Sequence, residues 1–199
     1  MSCATRSSSG SFRLTTTSVK EGRDTAPGQA DSPMSLTVRN RQKCHPVDAW
    51  LLRRLVKWAL AETEPSQSAG PGSYELGVYL VGAAEMVRAN WEYLRHEGST
   101  DVITLDYGEA DAAPKSGPIV GDIFICPVVA EEFARKLGTS WAEEVARYLI
   151  HGILHLRGYD DSAPGLQRTM KREENRLMQA AAKRFPLSRL ARGTKVVRR

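Results

Sequence analysis

The period of the hydrophobic positions changes several times along the chain, and each change marks an element. Residues 34–41 alternate apolar and polar (Met34, Leu36, Val38), the period of a half-buried strand. After Pro46 and Asp48 the spacing becomes helical. Trp50, Leu51, Leu55, Val56, Trp58 and Leu60 predict a helix over 47–62. A loop with Pro65, Gly70, Pro71 and Gly72 leads to a second strand over 74–81, broken by Gly82. Met86, Val87, Trp91 and Leu94 share one side of a helix over 83–94, with Arg95, His96 and Glu97 at its C-terminal end and Gly98 as its stop. Strands over 100–107 and 119–126 flank a Gly/Pro loop, and the Gly121–Asp122 pair reads as an interruption of the second. Pro127 opens a helix that Gly138 stops. Thr139 or Ser140 caps the next, with Glu143 placed as in a capping box. That helix runs through Trp141, Val145, Tyr148 and Leu149 to Arg157. A last helix, charged on one side, covers 164–182.

Strands and helices therefore alternate, then helices follow one another. This predicts an α+β domain, a single small mixed four-stranded sheet packed against about five helices, over residues 34–182. Residues 1–33 are rich in Ser, Thr, Gly and Pro with few large apolar groups, the composition of a disordered extension. No internal repeat is present.

Composition narrows the class. The 199 residues are 41% hydrophobic and 26% charged, values of an ordinary soluble domain. No apolar run approaches a membrane span, and the N-terminus has no secretory apolar core, so a cytoplasmic protein without membrane attachment is expected. Cys3, Cys44 and Cys126 are widely spaced and odd in number. They point to a reducing compartment, with neither a disulfide framework nor a cysteine zinc site. The formal net charge of +5 is unevenly placed: residues 183–199 carry seven Lys/Arg and no acid. Such a basic tail is usually a solvated, flexible end, and it is also a means of holding polyanions without reading sequence.

The candidate chemistry lies between residues 151 and 161. His151 and His155 are four residues apart, so on a helix both imidazoles project from one face. Gly158 can end that helix in a left-handed turn, after which Asp160 and Asp161 can swing a carboxylate back. Two nitrogens and one oxygen make a three-ligand site for one zinc ion with an open position at the end of a central helix. Asp161, ten residues after His151, is the third ligand by spacing; Asp160 is the alternative, or a turn cap. A zinc peptidase places a glutamate beside its first histidine as general base, and here that residue is Gly152. Glu144 shares the helical face and is either a partner of a ligating imidazole or a solvated charge.

The stretch His151–Asp161 resembles the signature of the YbeY family, bacterial endoribonucleases of rRNA maturation, whose motif is H-G-x-L-H-L-x-G-Y-D-H. Ten of its eleven positions, wildcards included, match, and Asp161 stands where the family has a third histidine. Upstream, Asn90, Arg95 and Thr100-Asp101-Val102 resemble the family's N-x-x-x-x-R and T-D-V-L-S-F. Gly121-Asp122-Ile123 resembles its L-G-D-I, and Met170 falls where the family has a methionine. The resemblance spans about 34–180. It implies a zinc-dependent endoribonuclease acting on single-stranded RNA in rRNA processing, with the small ribosomal subunit as partner. It also implies a cleft between sheet and metal helix, and it marks Arg95 as catalytic. A guanidinium there suits phosphodiester cleavage, because it stabilises negative charge developing in the transition state. Without the resemblance, Arg95 reads as a cation at a helix C-terminus. Two other readings remain at this point: an RNA-binding ribosome-assembly factor whose metal is structural, and, against Gly152, a metallopeptidase.

Overall fold

The alternating and helical stretches fold where their periods place them. The computed structural model describes residues 10–13, 34–64, 73–108 and 118–191. The chain runs β1 (Gly10–Arg13), β2 (Ser35–Asn40), α1 (Ala49–Glu62), β3 (Tyr74–Leu80), α2 (Ala83–Ala89), β4 (Val102–Asp106), β5 (Ile119–Ile125), α3 (Pro127–Leu137), α4 (Trp141–Leu156) and α5 (Pro164–Arg184). α2 continues into one π-helical turn, Asn90–Leu94, and a 3-10 turn, Leu187–Leu190, follows α5. This is the expected α+β arrangement. No helix of the described residues is long and apolar enough to cross a membrane.

The sheet order is β1-β4-β5-β3-β2, with β4 antiparallel to β5 and the other pairs parallel. The four strands read from the pattern are all present. Gly10–Arg13 adds an edge strand from within the stretch read as disordered. Its sequence, GSFR, has one large apolar residue and no alternation, so nothing local marks it; pairing with β4 supplies the order. Residues 1–9 and 14–33 lie outside the described residues. β5 is not interrupted at Gly121–Asp122. Gly121 pairs with Leu76 on one side and Asp106 on the other. A Cβ there would meet the Leu105 carbonyl at 2.5 Å and the Leu156 side chain at 2.7 Å, so the glycine admits α4 close to the sheet.

One sheet face packs against α1, α4 and α5, where Leu52, Leu55, Ile123, Ile125, Leu149, Ile150 and Ile153 are fully buried. Each such side chain contributes roughly 1.5–3 kcal/mol of apolar transfer. The opposite face packs partly against α2 through Met86, Ile103, Leu105 and Phe124. α4 is fixed at its start by the expected capping box, in which Ser140 Oγ accepts from Glu143 N at 3.2 Å and Glu143 Oε2 accepts from Ser140 N at 3.0 Å.

The stretch from residue 183, expected as a flexible tail, is ordered through Ala191. α5 continues to Arg184, and Phe185, Leu187 and Leu190 are buried beyond it. Asp48 N donates to the Leu190 carbonyl at 3.0 Å, and Val47 bridges Ala191. Burial of three large apolar groups outweighs the charge of Arg189 between them. Residues 192–199, the rest of the expected tail, lie outside the described residues.

Candidate metal centre

α4 carries His151 and His155 one turn apart on its buried apolar stripe. The helix must lie close against β4 and β5 for this, and Gly152 permits it. A Cβ at Gly152 would already stand 3.0 Å from Ile123 and from Thr104 Oγ1. The position beside the first histidine therefore faces the sheet, where a peptidase's glutamate has no room. Past Leu156 the chain turns through Gly158 at φ +87°, a left-handed conformation open to glycine. The turn is closed by Gly158 N donating to the His155 carbonyl at 2.8 Å and Tyr159 N to the Leu154 carbonyl at 3.0 Å. It brings Asp161 back over the histidines.

The three ligand atoms lie within 4.8 Å of one another. His151 Nε2 is 3.1 Å from His155 Nε2, and the Asp161 carboxylate oxygens are 3.8 Å from the first and 3.9 Å from the second. A tetrahedral ion with bonds of about 2.1 Å sets its donor atoms about 3.4 Å apart. Asp161, His151 and His155 thus form a set that could hold one metal ion. Asp160 is committed elsewhere: its oxygens accept from Ser162 N at 3.0 Å and Ser162 Oγ at 2.6 Å, capping the turn.

The partners of the far ring nitrogens assign the tautomers. His151 Nδ1 lies 3.1 Å from Glu174 Oε2 on α5, and His155 Nδ1 lies 3.0 Å from the Tyr159 carbonyl. A carboxylate and a carbonyl only accept, so each Nδ1 carries the proton. Each Nε2 in the neutral rings then presents a lone pair, and the two lone pairs face each other at 3.1 Å. Two acceptors held this way repel unless a proton or a metal ion lies between them, so the pair is suited to hold a cation.

The local electrostatics favour a neutral His155 and an ionised Glu174. Burial, then the repulsion that a protonated His151 would exert, pushes His155 down to about 4 against the pull of Asp161, so its imidazole is neutral near pH 7. Burial acts to raise Glu174. The hydrogen bonds from His151 and Arg147, with the Lys171 charge, outweigh it and hold the carboxyl at about 2. Arg147 Nη1 donates to Glu174 Oε1 at 2.7 Å and Lys171 Nζ at 3.2 Å, so the carboxylate is fixed from both ends.

Glu174 is the partner that sequence reasoning missed. Glu144, the candidate that helical spacing offers for that role, is buried on α4 and accepts from Thr139 Oγ1 at 2.8 Å. The available signal was a carboxylate on an apolar stripe: Met170, Glu174, Leu177 and Ala181 recur at helical spacing, and all are buried.

Arg95 lies outside the three-residue cluster. It is exposed, and its φ of +57° is the only positive value of a non-glycine among the described residues. The π turn ends there in a Schellman-type closure, with Arg95 N donating to the Trp91 carbonyl at 3.1 Å and His96 N to the Asn90 carbonyl at 3.3 Å. The chain then returns to Asp101, which is buried and raised by that burial while Thr100, Val102 and the His151 charge oppose the rise. Its carboxylate accepts from Val102 N at 2.9 Å, and Asp122 accepts from Tyr107 Oη at 3.0 Å, so both aspartates have structural partners.

Residues 37–182 match a family model described as endoribonuclease YbeY. Among curated relatives of that description, the Chlorobium luteolum protein is 34% identical over 146 residues, covering 73% of this chain and 97% of the relative. The Bordetella pertussis protein is 36% identical over 146 residues, covering 73% and 90%. The Aquifex aeolicus protein is 37% identical over 132 residues, covering 65% and 83%. A solution structure from Thermotoga maritima aligns with 82% of this chain and 99% of its own at TM-score 0.49 and 22% identity.

Proposed function

We propose that this chain, which belongs to the endoribonuclease YbeY family, is a zinc-dependent endoribonuclease that cuts single-stranded RNA and acts in rRNA maturation in the cytoplasm, on the small ribosomal subunit. The observation that carries the metal-dependent part is the pair of Nε2 atoms 3.1 Å apart with both Nδ1 protons committed to acceptors. Two imidazoles and a carboxylate suit zinc among common ions. Bound there, the ion would supply a water of lowered pKa and a Lewis acid for a phosphoryl oxygen.

The protein's own groups do the rest. His151 and His155 present neutral nitrogens because Glu174 and the Tyr159 carbonyl hold their protons away from the site. Asp161 is the third ligand; it is more exposed than either histidine and forms the side open to substrate. Arg95 serves as the catalytic cation, contacting the scissile phosphate and stabilising the charge that develops on it. Its left-handed backbone costs about 1–2 kcal/mol, a strain found where position matters more than stability.

Purified protein should cut single-stranded RNA, with cutting lost in chelator and in His151→Ala. Equal cleavage in all three samples would point to a contaminating nuclease and end the reading. A folded, zinc-retaining Arg95→Ala variant that still supports growth of a deletion strain, with no cleavage in vitro, would favour the binding-factor reading instead.

A further inference from the structure

α5 has two working faces. Its inner face carries Glu174 to His151. Its outer face carries Arg168, Lys171, Arg172, Asn175, Arg176 and Gln179, all exposed, which line a shallow groove of about 560 Å³. Their spacing of three and four residues places them in one row along the helix. Every lining side chain is a hydrogen-bond donor, and none is acidic. Over the whole helix six cations stand against two carboxylates. The two carboxylates pair with part of the row: Glu174 is buried and accepts from Lys171 at 3.2 Å, and Glu173 holds Arg176 through bonds of 2.6 and 3.0 Å. Arg168 and Arg172 enter no ion pair or hydrogen bond among the described residues. The row starts one turn into α5, and Asp161 lies three residues before the helix begins.

We infer that the outer face of α5 is a binding track for the phosphate backbone of single-stranded RNA, leading the strand toward the metal centre. Row length supports this: Arg168 to Gln179 rises about 16 Å at 1.5 Å per residue, room for a few successive phosphates. A strip of four cations and two amides with no ring to stack on suits the phosphate backbone better than base edges. A lipid surface fits less well. The apolar stripe that a membrane-lying helix needs is here turned inward, with Met170, Leu177, Met178 and Ala181 buried in the core.

The inference rests on the nuclease reading only for where the strand leads, so binding and cutting are measured separately. A labelled oligouridylate is titrated in chelator, so that nothing is cut, across a potassium chloride series. Arg168→Glu/Arg172→Glu should weaken binding at least about tenfold at low salt and reduce the salt slope by about 1.4, about 0.7 per lost phosphate contact. Arg168→Gln/Arg172→Gln should give a smaller loss in the same direction. Arg135→Glu/Lys136→Glu at the end of α3 makes the same change in net charge and should bind like wild type. Equal weakening by the α3 pair means net charge alone acts, and the track is wrong. It is also wrong if the α5 pair binds RNA like wild type but no longer binds vesicles containing phosphatidylserine. With metal restored, the α5 pair should raise KM and leave kcat unchanged. If wild type binds through α5 yet never cuts, the nuclease reading fails and the track stands. If RNA is cut with the same KM in the α5 pair, the reverse holds.

Discussion

Replacing Glu174 by glutamine tests the geometry of the centre without touching a ligand. The carboxylate is 2% exposed, accepts from His151 Nδ1 at 3.1 Å, and takes Arg147 and Lys171 on its other oxygen at 2.7 and 3.2 Å. A glutamine fills the same volume but has two poor choices. With its oxygen toward His151, its NH2 group faces two cations. With its NH2 toward His151, the imidazole proton must move to Nε2, and the lone pair that would bind metal is lost. Removing such a partner lowers metal affinity about 10–100-fold, or about 1.4–2.7 kcal/mol. The assay is competition for zinc against a chromophoric chelator at pH 7, with thermal unfolding of the metal-free protein alongside. The metal-free variant should also lose roughly 1–3 kcal/mol, because the half-buried Arg147 loses its shorter carboxylate contact. A zinc affinity within twofold of wild type in a folded Glu174→Gln protein would refute the assignment of tautomer and partner.

Three further outcomes follow from the same geometry. Asp161→Ala should abolish high-affinity metal binding, whereas Asp160→Ala should leave it intact and cost about 1 kcal/mol of stability from the lost turn cap; metal analysis of the two variants separates them, and the opposite pattern would make Asp160 the ligand. Arg95→Gly should raise stability by about 1 kcal/mol, since glycine adopts a φ of +57° without strain, while RNA cleavage falls; urea unfolding with matched cleavage assays checks it, and a loss of stability would mean the side chain is structural. In chelator, stability should fall with acid. Glu174 is held at about 2 against an unfolded 4.5, and His155 at about 4 against 6.5, so the unfolded chain binds more protons throughout this range. The stabilisation is therefore complete above about pH 6.5, declines from there through pH 4 as His155 would protonate, and is lost toward pH 2 with Glu174, whose share is roughly 3 kcal/mol. Urea midpoints of metal-free protein that stay flat from pH 7 to 4 would contradict it.

The parts of the centre that share one helix and its turn were legible in the sequence. His151, His155, Gly158 and Asp161 are related by helical spacing and by the left-handed turn that glycine allows, and both are local properties. Glu174 was not legible in that way, because its link to His151 spans 23 residues and depends on how α5 packs on α4. Local pattern shows only that a carboxylate sits among apolar positions. The strands and helices of 34–182 were legible for the same reason as the histidines, while Gly10–Arg13 takes its order from β4 and not from its own residues. Charge also masked burial at the C-terminal end. The density of Lys and Arg after residue 183 suggested a solvated tail, yet Phe185, Leu187 and Leu190 close the core against α1. The π-helical turn before Arg95 has no sequence signature in this chain, and with it the left-handed arginine could not be foreseen.

If one metal held by α4 and its turn is what cuts RNA, metal and cleavage must be lost together. The most direct measurement is zinc content and cleavage of a single-stranded RNA on the same preparations of wild type and His155→Ala. Wild type should carry one zinc per folded chain and cut RNA internally, and His155→Ala, its fold checked by circular dichroism, should do neither. Cleavage at the wild-type rate by a folded, zinc-free His155→Ala protein would contradict this.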